Sequence, residues 1–264
     1  MSPLSDKNSA NSISLAVITV TLNAERHIRF NIENVASQTQ PHSHYIFDGG
    51  SSDSTCEVVK ELMHDHDNLW LIEQNDNGIY NAMNEAIETV GHNYDVVALL
   101  NADDFYLSEN SLATAVKSFD SSQIAVVASN VGYLVDHDQP LKRVTGYGKA
   151  TLINRRFFAF GGQLAHPGMF VRSSVYREIH YKEVFDIAAD YNFQIDLMLT
   201  GKLVKVLPDI LVIQRMGGYS QSGWRSFFRG KYQTYIATRR ILPPIASLCS
   251  VIFNVLRKII SKSG

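Results

Sequence analysis

Val96-Val97-Ala98-Leu99-Leu100-Asn101-Ala102-Asp103-Asp104 is the stretch on which the reading of this chain turns. Its five leading apolar residues read as a buried strand. The run stops abruptly at an amide and two carboxylates, so oxygen ligands sit at the C-terminal end of a strand. Open α/β sheets bind their ligands at that end. Hard cations such as Mg²⁺ or Mn²⁺ prefer oxygen, and the stretch suggests a metal–diphosphate site. A polar turn with a helix cap is the plain alternative, because Asn and Asp are common turn formers.

Upstream, Ile13 to Thr21 reads as a first buried strand, and Ala24 to Gln38 as a helix with Ile28, Ile32, Val35 and Ala36 on one face. Tyr45 to Phe47 is a short second strand ending in Asp48-Gly49-Gly50-Ser51-Ser52-Asp53-Ser54-Thr55. Its glycines let backbone approach a ligand, and Ser51 to Asp53 offer helix caps. A helix follows to about His64, then a third strand, Leu69 to Ile72. Ile79, Ala82, Met83, Ala86 and Ile87 recur at helical spacing, with Asp76 or Asn77 placed to cap that helix. Three β–loop–α units leading into a fourth strand imply an α/β fold with a mostly parallel, right-handed sheet. The glycine loop has neither the GxGxxG nor the GxxxxGK[ST] pattern, which disfavours dinucleotide and P-loop chemistry.

Downstream, Ile124 to Ser129 reads as a fifth strand, and Gly132 to Ala150 as a hairpin region turning near Asp136 to Pro140. Arg155 to Gly162 reads as an aromatic, glycine-bearing loop, either mobile or substrate-lining. Ala188-Ala189-Asp190 opens a helix through Leu199, Leu203 to Ile213 reads as one or two short strands, and Gly217-Gly218-Tyr219-Ser220 as a turn. The histidines His42, His44, His64 and His66 read as solvated, and their spacing offers no zinc site.

The 264 residues suit one large domain, or a domain with an appendage. Two distant cysteines, Cys56 and Cys249, point to a reducing cytoplasm. Residues 1–12 form a polar leader without the apolar core of a signal peptide, and no apolar run is long enough to span a bilayer. The net charge of −2 hides an asymmetry: no Asp or Glu follows Asp209, while nine Lys and Arg do. Residues 222–240 carry interleaved aromatic and basic side chains, and after Pro243-Pro244 the segment to Lys262 has a broad apolar face opposite Ser247, Ser250, Asn254, Arg257 and Lys258. That amphipathic pattern is too short and polar to cross a membrane. An anionic membrane surface is the expected partner; packing on the main domain or on a second subunit is the alternative. Nucleic acid is disfavoured, because no nucleic-acid motif accompanies the charge.

The ordered set Thr21-Leu22-Asn23, Asp48 to Asp53, Asp76 to Asn84, Asn101 to Asp104, His166-Pro167, Ala189-Asp190 and Gly217 to Ser220 resembles family 2 glycosyltransferases, the inverting group with the GT-A fold. It is most similar to the subgroup that builds bacterial surface polysaccharides. The resemblance implies a GT-A domain over 13–221 followed by C-terminal helices over 222–264. It implies a nucleotide-sugar donor, expected to be UDP-linked, with Thr21, Asn23, Asp48, Asp76, Asn101 and Asp103 as its binding residues. Asp103, supported by Asp104, would hold Mn²⁺ or Mg²⁺; Asn101 replaces the first acid of the family's D-x-D motif. Asp190 matches the general base, and His166, Gly218 and Ser220 fall where the acceptor or diphosphate would lie. The implied acceptor is a lipid-linked glycan, and the implied location is peripheral, on the cytoplasmic face of the cytoplasmic membrane. Two other readings compete. A sugar nucleotidyltransferase would need a glycine-rich, basic phosphate loop that Thr19 to Arg29 lacks. A non-catalytic carbohydrate or membrane module would not need Asp103 and Asp190 together.

Overall fold

The computed structural model describes residues 13–74, 78–134, 143–144, 153–215 and 223–260. The first half is the expected parallel unit. β1 (Leu15–Thr21) lies between β2 (Ser43–Asp48) and β4 (Val96–Leu99), with β3 (Leu69–Glu73) outside β2, all parallel. β1 and β4 are buried at nearly every position, which explains their unbroken apolar runs. The helices α1 (Ile28–Ala36), α2 (Thr55–Leu62) and α3 (Ile79–Val90) make the crossovers. α1 begins later than its apolar face suggested, because residues 24–27 form a hydrogen-bonded turn first. α3 has Gly78 at its N-cap, with φ +120° and no capping side chain; Asp76 and Asn77 lie outside the described residues.

The second half makes the sheet mixed. β5 (Phe105–Tyr106) and α4 (Ser111–Lys117) follow β4; β6 (Ile124–Leu134) is antiparallel to β7 (Arg143–Val144) and β8 (Met169–Arg172). β8 is in turn antiparallel to β4, so it joins the two halves. β9 (Leu203–Arg215) is parallel to β6 and antiparallel to β5. The sheet order is β3-β2-β1-β4-β8-β6-β9-β5. Gly132↔Val144 and Tyr133↔Arg143 are the arms of the expected hairpin, and its turn lies outside the described residues. β9 is one strand of 13 residues. It tolerates Pro208 because the β6–β9 register slips nearby and Asn130 Nδ2 donates to the Pro208 carbonyl at 2.7 Å.

Two expectations are corrected. The 155–162 segment is not a loop throughout: α5 (Arg155–Ala159) forms because the Asn154 side chain caps it, accepting from Phe157 N–H at 3.0 Å, and Phe158 is fully buried. His44 is not solvated. It points into the core from β2, 2% exposed, with Nε2 3.1 Å from Thr19 Oγ1. The remaining helices are α6 (Ser173–Tyr176), α7 (Ala189–Leu199), α8 (Gly223–Thr238) and α9 (Pro244–Ile260). α8 packs on α7, and α9 packs on α5 and α8.

Candidate active site

β1, β2 and β4 run side by side in one direction, so the loops after Thr21, Asp48 and Leu99 open at a common edge; Thr21 and Asp48 are direct register partners. Asp48 is buried, and its carboxylate organises its own loop. It accepts from Gly50 N–H at 3.0 Å, Ser51 N–H at 2.7 Å and the Ser51 hydroxyl at 2.5 Å. Asn23, held at φ +52°, binds that loop from the other side: its Oδ1 accepts from Ser52 N–H at 2.8 Å, and its N–H donates to Ser51 Oγ at 2.8 Å. Asn is among the few residues that adopt this conformation readily. Asp53 accepts from the Thr55 N–H at 3.1 Å where α2 begins. What the edge leaves open is Thr21 Oγ1 and, just beyond β3, Gln74 Nε2; both are buried without a hydrogen-bond partner among the described residues. Orphaned buried polar atoms mark places where another group completes the bonding. Gln74 was not anticipated, since a lone Gln after a strand carries no motif.

At the end of β4 the neighbouring acids diverge. Asp104 is 1% exposed and faces inward. Its oxygens accept from Asn101 Nδ2 at 2.7 Å and from the Arg215 N–H at 3.2 Å. Burial pushes its carboxyl well above the usual carboxylate range and the Asp103 charge adds to this, while the Asn101 and Arg215 donors oppose it. Asn31 of α1 ties the same loop down, donating to the carbonyls of Asn101 at 3.1 Å and Asp104 at 3.0 Å. Asn101, expected to meet the donor, thus spends its amide on Asp104. Asp104, expected beside Asp103 at the metal, has each oxygen engaged in holding the loop, by the Asn101 amide on one and the Arg215 N–H on the other. Asp103 is half-buried, and its carboxylate accepts no hydrogen bond among the described residues.

The donor set fits a cation that needs little from the protein. Among the described residues no three His, Cys, Asp or Glu gather to enclose a metal. Mg²⁺-type ions at phosphate sites use one or two carboxylates and take their remaining ligands from water and phosphate oxygens. One unengaged carboxylate at a strand end meets that demand.

Asp190 is the second residue of α7; Ala188 takes the N-cap position. Its Oδ1 accepts from Tyr191 N–H at 2.7 Å, and the Tyr80 hydroxyl and Gln163 Nε2 each approach at 3.4 Å. These long contacts leave lone pairs open on a half-buried carboxylate. His166 lies in the same neighbourhood, its ring edge-on to Tyr181 at 5.7 Å. Burial lowers its pKa, the Asp190 charge opposes this, and its Nε2 has no partner among the described residues. Tyr80 and Gln163 are additions to the expected set. Tyr80 lies within the Asp76 to Asn84 motif, whereas Gln163 had only the preceding Gly161-Gly162 as a signal. The segment before Asp190 is fixed from the C-terminal region: Gln233 Oε1 of α8 accepts from the N–H groups of Ile187 at 3.0 Å and Ala188 at 3.1 Å. Gly218 and Ser220, like Asp76, lie outside the described residues.

The glycosyl transferase family 2 model matches residues 16–180. An uncharacterized glycosyltransferase of Methanocaldococcus jannaschii is 22% identical over 207 residues, covering 76% of this chain and 70% of that protein. Among solved structures, S. aureus TarS 1–349 in complex with UDP-GlcNAc is similar with TM-score 0.70 at 18% identity, covering 92% of this chain and 72% of that one. The mannosyltransferase PcManGT of Pyrobaculum calidifontis, in complex with GDP-Man and Mn²⁺, is similar with TM-score 0.68 at 17% identity, covering 92% and 70%. These structural likenesses carry the fold.

Proposed function

The chain belongs to glycosyl transferase family 2, and from that premise we propose that it moves a sugar, with inversion, from a nucleotide-linked donor to a hydroxyl of a lipid-linked glycan in surface-polysaccharide synthesis. The observation that carries the reading is a pair of half-buried carboxylates with lone pairs left open, Asp103 at the end of β4 and Asp190 at the start of α7. The nucleotide lies along the β1–β2–β4 edge, where Thr21 Oγ1 and Gln74 Nε2 complete their hydrogen bonding on it. Asp48 and Asn23 act through the loop they hold rigid.

Asp103 would hold Mn²⁺ or Mg²⁺, with Asp104 and Asn31 keeping its loop in place. When bound, the cation neutralises charge growing on the departing diphosphate. Asp190 accepts the acceptor hydroxyl's proton as that oxygen forms its bond to the anomeric carbon and the carbon–diphosphate bond breaks. The Tyr191 N–H keeps the carboxylate oriented, and the Tyr80 hydroxyl, 3.2 Å from the Ile187 carbonyl, borders it at 3.4 Å. Attack from the face opposite the leaving group inverts the centre. TarS is solved with UDP-GlcNAc and PcManGT with GDP-Man and Mn²⁺; a UDP-sugar is our first donor and GDP-mannose its comparison. The acceptor is placed at the cytoplasmic membrane face because the acid-free, basic C-terminal region suits an anionic surface.

The test is release of nucleoside diphosphate from a panel of UDP- and GDP-sugars, with Mn²⁺ or excess chelator. Metal-dependent release from one donor, lost in Asp103→Ala, supports the reading. No release from any donor, or full release in chelator, counts against it.

A further inference from the structure

The two C-terminal helices are packed with their polarity reversed. An amphipathic helix on a globular domain normally turns its apolar stripe to the core. On α9 the inward face is Ser247, Ser250, Val251 and Asn254, at 0%, 1%, 9% and 6% exposure, so three of its four buried residues are polar, while Ile245, Leu248, Ile252, Phe253 and Leu256 are 44–79% exposed. On α8 the inward face includes Gln233, Thr234 and Thr238, while Trp224, Phe228 and Tyr232 are exposed. Phe160, also exposed, extends the α9 stripe through a ring contact with Phe253 at 6.0 Å.

Specific bonds hold this orientation. The Ser250 hydroxyl donates to the Phe158 carbonyl, and Asn254 Nδ2 donates to the Gly161 carbonyl at 3.1 Å. Asn254 Oδ1 accepts from Lys231 Nζ at 2.7 Å, linking α9 to α8. Gly161 has φ +68°, and a β-carbon there would lie 2.5 Å from the Asn254 nitrogen, so the two backbones meet with nothing between. Rolling α9 to bury its apolar stripe would strand Ser250 and Asn254. The outward stripe is therefore a built feature, a contiguous row on one helix face and not scattered single residues.

The charge around the stripe identifies its occupant. From Ile210 to the end the chain has nine basic residues and no acid; Arg229 and Arg240 pair with Asp186 and Asp196 of the main domain at 2.9 and 2.6 Å, and the segment stays positive beyond those two pairs. Exposed Arg225 lies against the exposed Trp224 ring, and exposed Arg239 directly follows the C-terminal end of α8. Exposed aliphatic side chains beside Trp, Tyr and Arg match the interfacial region of an anionic bilayer. Two copies meeting through these helices would oppose two strongly positive segments, which disfavours self-association. We propose that α8 and α9 form a pre-built docking face for an anionic phospholipid bilayer, with the Ile245–Leu248–Ile252–Leu256 stripe and Phe253 entering the acyl boundary. The proposal rests on the placement of the acceptor at a membrane face for its purpose, and it names the surface that reaches that membrane.

The experiment is flotation of the intact chain with vesicles of phosphatidylcholine alone and of phosphatidylcholine with phosphatidylglycerol, at low and high salt. We expect binding to the phosphatidylglycerol vesicles and loss of it near 0.5 M salt, roughly where screening shortens to a few ångströms. Leu248→Glu with Ile252→Glu should reduce vesicle partition about tenfold or more, since each large side chain loses its apolar transfer. Phe253→Ser is a milder change on the same stripe, and Trp70→Ser, an exposed apolar residue on β3, is the control that should still float. Thermal midpoints check that each variant folds. Failure of the parent to float on phosphatidylglycerol vesicles at low salt overturns the proposal, as does unchanged flotation of both stripe variants. A dimer that the stripe variants convert to monomer, without flotation, assigns the face to a second copy and likewise overturns it. Nucleoside diphosphate release in lipid-free solution is read separately, so a failed transferase reading and a failed docking face are told apart.

Discussion

Asp103 and Asp104 are adjacent acids in opposite surroundings, one half-buried and unengaged among the described residues, the other buried and hydrogen-bonded. Asp103→Ala removes an unengaged carboxylate, so transfer should be nearly abolished while the thermal midpoint stays close to the parent's; a large fall in midpoint would show a structural role instead. Asp104→Ala strands the Asn101 amide and the Arg215 N–H inside the protein. Losing a buried hydrogen-bond partner costs about 1–3 kcal/mol, and denaturant unfolding should register that loss. Asp190→Asn keeps the shape and the Tyr191 N–H contact but cannot take a proton. Transfer should fall roughly 10²-fold or more, as expected for a positioned base, with donor binding by calorimetry unchanged. Loss of donor binding would reassign Asp190 to holding the donor.

At the scale of elements, the C-terminal helices belong to the site as well as to the surface. Gln233 of α8 closes the two N–H groups just before Asp190 and donates to Asp186 at 2.5 Å. Arg240, two residues beyond α8, reaches Asn192 at 2.8 Å and Asp196 at 2.6 Å. Gln233→Ala should therefore lower kcat with little change in donor affinity, because it loosens the base without touching the nucleotide edge; an unchanged kcat would detach α8 from catalysis. α5 and α9 depend on one another through Gly161. Gly161→Ala puts a β-carbon against Asn254 backbone at a left-handed position, and hydrogen exchange along α9 should speed up while β1 and β4 stay protected.

For the whole molecule, buried histidine links folding to pH. Burial, with the charges of His42 and His66 adding, pushes His44 down to about 3. In the unfolded chain it takes its proton near 6.5, so between those values the unfolded state binds more protons. The stability that His44 contributes is fully present above about pH 6.5 and declines below it by about 1.4 kcal/mol per pH unit. Urea midpoints at about pH 7 and pH 5.5 should separate accordingly, and His44→Gln should narrow the gap. An unchanged gap would assign acid sensitivity to other groups. The described part of the chain has no helix long and apolar enough to cross a membrane.

The sequence by itself determined the parallel β1–β4 half, because unbroken apolar runs closed by Gly, Asn and Asp are local patterns with one economical arrangement. It also placed Asp103 at a strand end and Asp190 at a helix start, since both follow directly from where apolar periodicity begins and stops. The antiparallel insertion of β8 between β4 and β6 was not legible, because strand pairing across about 70 residues leaves no periodic trace. Nor was the burial of His44, which depends on Thr19 of the neighbouring strand offering its hydroxyl. Adjacent Asp103 and Asp104 look alike in sequence, and only the arrival of Arg215 and Asn101 beside one of them separates the free acid from the engaged one. The amphipathic pattern of α9 was plain from residue spacing, but spacing is silent on which face turns inward. That was decided by Phe158 and Gly161, whose carbonyls accept the polar face and so leave the apolar one outside.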